Sequence, residues 1–73
     1  MKLPLLSGRE VVKVFEKQGW EVARQRGSHI ILVKKGHIAT LTVPDHKEVA
    51  KGTLRKLIAR ASITVEEFLG AMK

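Results

Sequence analysis

Three histidines, His29, His37 and His46, are the side chains of this sequence whose ordinary pKa, about 6.5, lets them exchange protons near neutral pH. Such groups can cut a phosphodiester that carries its own neighbouring hydroxyl, as RNA does. A metal-free cleavage of that kind needs a base for the 2′-hydroxyl, an acid for the leaving 5′-oxygen, and cations on the phosphate. Positioned proton transfer contributes about 10²–10⁴-fold to such a reaction, and Lys or Arg stabilises the charge that develops. His29 has the setting that suits this chemistry. It follows Arg24-Gln25-Arg26-Gly27-Ser28, where the two arginines offer paired donors to a phosphate. Gly27 permits close backbone approach to the same group. His37 reads as a turn residue after Lys35-Gly36, and His46 as an exposed loop residue after Pro44-Asp45.

Other chemistries find little support. With no cysteine in the chain there is no thiol nucleophile and no Cys-based zinc site. Gly27 and Gly36 stand alone, far from the spacing of a phosphate-cradling loop. The carboxylates are scattered, so the acidic cluster of a two-metal nuclease is not expected. The histidines have no recognised ligand spacing, and neither a metal nor another cofactor is expected.

The elements that must hold His29 follow from patterning. Ser7 and Glu10 form an S-x-x-E capping box at the start of a helix. Val11, Val12, Val14 and Phe15 fall on one arc of it, opposite Arg9, Lys13, Glu16 and Lys17. Gly19 is the expected stop. Three short strands are expected next. The first covers residues 20–26, Gly27-Ser28 is the turn out of it, and the second covers residues 29–34 with the β-branched run Ile30, Ile31 and Val33. Lys35-Gly36 is expected to make a tight hairpin turn. The third strand, residues 37–43, alternates Ala39, Leu41 and Val43 with Thr40 and Thr42, and Pro44 ends the pairing. After a polar loop over residues 45–49, a second helix starts between Ala50 and Thr53 and carries Leu54, Leu57, Ile58 and Ala61 on one stripe. A break near Ser62-Ile63 precedes a second capping box, Thr64 with Glu67, and a short last helix with Val65, Phe68, Leu69 and Met72 inward. The expectation is an α+β fold of one domain over residues 1–73: an α-β-β-β-α order, an antiparallel meander with helices on one face, and a short extra C-terminal helix.

Fourteen Lys and Arg against seven Asp and Glu give a net charge of +7 in 73 residues. A field of that sign draws in polyanions, nucleic acid foremost. Arg24, Arg26, Lys34 and Lys35 are expected around the His29 hairpin, with Lys47, Lys51 and Arg55 approaching from the loop and second helix, as an RNA-binding patch. The first apolar run is short and broken by Pro4, where a signal peptide needs roughly 7–15 apolar residues. No stretch approaches the roughly 20 needed to span a bilayer. A cytoplasmic protein with no membrane partner is expected.

The ordered set of Ser7-Gly8-Arg9-Glu10-Val11-Val12, Gly19-Trp20, Arg26-Gly27-Ser28-His29, Val43-Pro44-Asp45-His46, Lys51-Gly52-Thr53-Leu54 and residues 63–68 resembles the HicA family, the YcfA-like toxins of HicBA toxin–antitoxin pairs. The resemblance implies a double-stranded-RNA-binding-like fold and an endoribonuclease that cleaves mRNA and inhibits translation. It places the family's active histidine, which follows a Gly-Ser pair, at His29, with Gly27 and Ser28 as supporting motif residues. His46 matches a histidine found after the Pro-x pair. A HicB-like antitoxin is the implied protein partner. Two other readings of the same residues stand beside it: a non-catalytic RNA-binding module of this fold, and a DNA-binding partner of a regulator.

Overall fold

A computed structural model describes residues 3–72. Its elements run α1 (Gly8–Lys17), β1 (Glu21–Arg26), β2 (His29–Val33), β3 (Leu41–Pro44), α2 (Lys51–Arg60) and α3 (Val65–Gly70). This is the expected α-β-β-β-α order with a short last helix.

Both capping boxes form. The Glu10 N–H donates to Ser7 Oγ at 3.1 Å, and the Ser7 N–H donates to Glu10 Oε1 at 2.9 Å. Thr64 and Glu67 repeat the exchange at 3.0 and 2.9 Å. Each box satisfies N–H groups that a helix start otherwise leaves without partners. The helices also stop for local reasons. At the end of α1, Gly19 sits at φ +96°, with its N–H on Glu16 O and the Trp20 N–H on Phe15 O. Ser62 takes the same left-handed position after α2, at φ 62°. There the Ser62 N–H bonds Ala59 O and the Ile63 N–H bonds Ile58 O. These are Schellman closures. The serine bears a steric cost there that glycine does not.

The helices bury one common face against the sheet. Val11, Val12, Val14 and Phe15 of α1, Leu54, Leu57 and Ile58 of α2, and Phe68 of α3 meet Ile30 and Leu32 of β2 and Leu41 and Val43 of β3. Phe15 sits between the other large rings, 5.3 Å from Phe68 and 6.4 Å from Trp20 by centroid. Truncating such a ring to alanine costs about 3–5 kcal/mol, a large share of what so small a core supplies. Met72, expected inward, lies beyond α3 and is 36% exposed.

The sheet order is β1-β2-β3, antiparallel throughout. Two expectations about it need correction. First, β3 starts at Leu41, not at residue 37, so Lys35-Gly36 is a turn that does not join two paired strands directly. The His37 side chain explains the difference. Its ring packs 5.0 Å from Trp20, its Nε2 lies 3.3 Å from Ser62 Oγ, and its Nδ1 accepts the Ala39 N–H at 3.2 Å. That N–H is spent on an imidazole instead of a ladder, and residues 37–40 cross the end of the core as an irregular connection. Second, β1 is not a regular strand. Val22 pairs with Leu32 but Arg24 pairs with Ile31, which leaves Ala23 as the extra residue of a β-bulge.

Candidate functional site on the open sheet face

Residues directly opposite in an antiparallel pair project from the same face. Ile30 and Leu32 are buried toward the helices, so His29, Ile31 and Val33 project from the other face, which no helix covers. The bulge decides what accompanies them. Val22 faces the core side with its partner Leu32, and a regular strand would put Arg24 and Arg26 on that side too. The extra residue at Ala23 inverts the alternation. Arg24 therefore stands opposite Ile31, and Arg26 opposite His29, on the open face.

His29 opens the central strand, between Arg26 of β1 and Pro44 of β3. It is exposed, and neither ring nitrogen has a hydrogen-bond partner among the described residues. The two-residue turn that precedes it has Gly27 at φ +58° and no positive φ at Ser28, the pattern of a hairpin whose first central residue is left-handed. A side chain at Gly27 would meet open space, so backbone conformation is what favours glycine there.

The corner around His29 is tied from three sides. The Asp45 N–H donates to Ser28 O at 2.7 Å, fixing the exit of β3 against the turn. The Asp45 carboxylate receives Arg9 Nη2 at 3.3 Å and Gln25 Nε2 at 3.2 Å. Gln25 also donates to Gly27 O at 3.0 Å. The start of α1 then presses on the same segment, with the Gly8 N–H bonding His46 O at 2.8 Å. A Cβ at Gly8 would overlap the Pro44 carbonyl oxygen.

The expected patch divides. Arg24 and Arg26 share the open face with His29. Exposed His46 and Lys47 follow Pro44 in the adjacent bend, and Lys51 and Arg55 lie exposed one turn apart on α2. Lys34 and Lys35 stand beyond the other end of β2, roughly 17 Å from His29 along the strand. Lys34 reaches back toward Gly19, where an added Cβ would come within 3.3 Å of its Cε. Gly8, Arg9, Gln25 and Asp45 stand within the motifs quoted above, but sequence alone assigns none of them a role at this site. Asp45 carried one signal, an acid placed directly after a strand-ending proline in a strongly basic chain. Among the described residues, no three His, Asp or Glu side chains converge as a metal site.

The sequence profile described as the HicA toxin of bacterial toxin–antitoxin systems matches residues 8–63 of the 73-residue chain. The chain belongs to the HicA toxin family. The match takes in the whole corner just described, from Gly8 on α1 through His29 to the residues after Pro44. No curated protein matches the chain. Membership gives it the toxin role in a toxin–antitoxin pair and implies an antitoxin as its partner. No helix among the described residues is long and apolar enough to cross a membrane.

Proposed function

We propose that this HicA-family toxin is a metal-independent endoribonuclease that cleaves mRNA by histidine acid–base catalysis, with His29 as the catalytic residue. The observation that carries the reading is the contrast between two histidines. His37 spends both ring nitrogens on the protein, whereas His29 is exposed with neither committed among the described residues. A free imidazole at the end of a strand can take the proton of a 2′-hydroxyl or give one to the leaving 5′-oxygen. Arg26, opposite it, and Arg24, two residues along the same face, are placed to hold the phosphate and stabilise its developing charge. Gly27 and Ser28 shape the turn and keep its backbone open to the substrate. His46 follows the paired Pro44 and is the candidate second proton-transfer group. Asp45, which follows the paired Pro44, is already engaged in its clasp, and elsewhere Glu10 and Glu67 are engaged in capping boxes.

Lys47, Lys51 and Arg55 extend the positive surface beyond the reaction site, and Lys34 and Lys35 provide a more distant contact for a long strand. A HicB-like antitoxin restrains the enzyme by covering His29 and the Arg24-to-Gly27 strand, and a +7 surface is steered quickly toward an acidic partner of that kind.

The test is incubation of the purified protein with a long RNA in the presence of a chelator, followed by mapping of the product ends. Cleavage with 2′,3′-cyclic phosphate or 3′-phosphate ends is expected. Activity abolished by the chelator and restored by Mg²⁺ would overturn the mechanism. RNA shifted on a gel but left intact would select the non-catalytic binding module.

A further inference from the structure

Beside the outer edge of β3 lies a groove lined by Thr40, Thr42, Thr53, Lys56, Leu57 and Arg60. Its chemistry is one-sided: two cations, three hydroxyls, a single apolar residue and no carboxylate. Arg60 is held in place, because its Nε donates to Thr40 O at 2.7 Å, and its Nη donors have no partner among the described residues. Lys56, one turn earlier on α2, has no ion pair among the described residues. The groove is joined to the open face through Thr42. That residue pairs with Ile31, so it projects from the same face as His29. His29 pairs with Pro44, two residues further along β3, and such diagonal neighbours lie about 7–8 Å apart.

We propose that this groove is a phosphate subsite for the RNA strand that flanks the bond at His29. The inference rests on the RNA-cutting reading above and adds residues that reading does not use. Lys56 and the Arg60 Nη donors bind a backbone phosphate, and the threonine hydroxyls donate to its remaining oxygens. The strand crosses the open face from Arg26 and His29 toward Thr42 and leaves over the β3 edge. Charge complementarity selects the occupant, since a groove with two cations and no acid has nothing to offer a cation or an acid-neutral peptide.

The experiment uses His29→Ala protein, so that the probe stays intact, and a short fluorescein-labelled single-stranded RNA of mixed sequence. Affinity is measured across a salt series. Each phosphate contact contributes about 0.7 to the slope of log affinity against log salt on single strands. Adding Lys56→Gln should lower the slope by about 0.7, and adding Arg60→Gln as well by about 1.4. Lys13→Gln, on α1 and outside the groove lining, removes the same charge and should leave the slope unchanged. Lys56→Gln breaks no bond in the described structure, so it is the deciding variant. An unchanged slope there overturns the subsite whatever the double variant does, and so does an equal fall with Lys13→Gln. If the His29→Ala parent shows no salt-dependent affinity at all, the RNA reading itself fails and the groove falls with it. Parent binding with an unaffected Lys56→Gln slope removes the groove alone.

Discussion

Arg26 and His29 are the closing pair of the β1–β2 hairpin, directly opposite one another on the sheet face that no helix covers. A guanidinium that cannot be deprotonated and an imidazole that can are therefore held at a fixed spacing by backbone pairing, not by a contact between their side chains. The proposed chemistry needs that arrangement: one group to hold the phosphate and one to move the proton.

His29→Ala and His37→Ala should separate activity from stability. His29→Ala is expected to lose cleavage by about two to four orders of magnitude while its melting temperature and RNA affinity stay near wild type. His37→Ala is expected to lose about 1–2 kcal/mol of stability, because the Ala39 N–H and the Trp20 ring lose their partner, yet to cut RNA normally per folded molecule. Thermal melts and cleavage rates on both variants check this. An inactive but stable His37→Ala, or an unfolded His29→Ala, would reverse the roles.

Gly8→Ala should be costly for a steric reason, since the new methyl group overlaps the Pro44 carbonyl. Forced relaxation of this kind costs about 1–3 kcal/mol, and each kcal/mol lowers the melting temperature of a domain this size by about 4–8 °C. Gly52→Ala provides the contrast. Its added methyl meets open space in a helix, and a gain of up to about 0.5–1 kcal/mol is expected. Equal melting temperatures for the two variants would contradict the close approach.

The Ser7–Glu10 box makes a pH-dependent contribution. The Ser7 N–H and then its hydroxyl, with Lys13 adding attraction, hold the Glu10 carboxyl below its ordinary value of 4.5. The folded state thus favours the ionised form. Its stabilising effect is complete above the ordinary carboxylate value and is lost as pH falls through the lower, folded one. Glu10→Gln should therefore melt below wild type at pH 7, with the gap closing as the pH is taken down from 4.5. A gap that is constant across that range would show that ionisation plays no part.

Asp45→Asn tests the clasp behind His29. Exposed ion pairs are worth about 0.2–1 kcal/mol, so loss of the Arg9 interaction should change stability little. The larger effect is expected on positioning, with a fall in kcat of up to about tenfold and RNA affinity retained. The backbone bond from residue 45 to Ser28 survives the substitution, which keeps the fold intact. Unchanged kcat would mean that the carboxylate does not help hold the corner.

The antitoxin should occlude the site. The purified toxin–antitoxin complex is expected to neither bind nor cut RNA, while free toxin does both. A complex as active as the free toxin would exclude occlusion.

Element order, both capping boxes and the His29 turn were legible because each rests on local rules: a side-chain oxygen three residues before a glutamate, or a glycine between two β-prone runs. What sequence could not show depended on contacts between distant residues. The Thr40–Thr42 alternation extends plausibly back to His37, but the Trp20 ring and Ser62 hydroxyl draw that histidine out of the strand. Gly8 reads as an ordinary helix residue until Pro44 is seen beside it. Proximity in sequence groups Lys34 and Lys35 with Arg24 and Arg26. The span of β2 then carries Lys34 and Lys35 away from Arg24 and Arg26, while Lys56 and Arg60, unremarkable on a helix surface, come to lie beside Thr42.

The extra residue at Ala23 gives the first strand an exact count. Between Trp20, which must be buried, and Gly27, which must turn, a chain one residue shorter cannot keep the tryptophan inside and the two arginines outside. Single-residue deletions or insertions there act as inversions, exchanging the wet and dry sides of half a strand without changing its composition. Tolerance for length variation should instead sit at the exposed Lys35-Gly36 turn, ahead of the anchored His37 and joining no two paired strands directly. A library of one-residue indels across the chain would read this as a sharp gap in survivors at β1, beside a permissive stretch only a strand away.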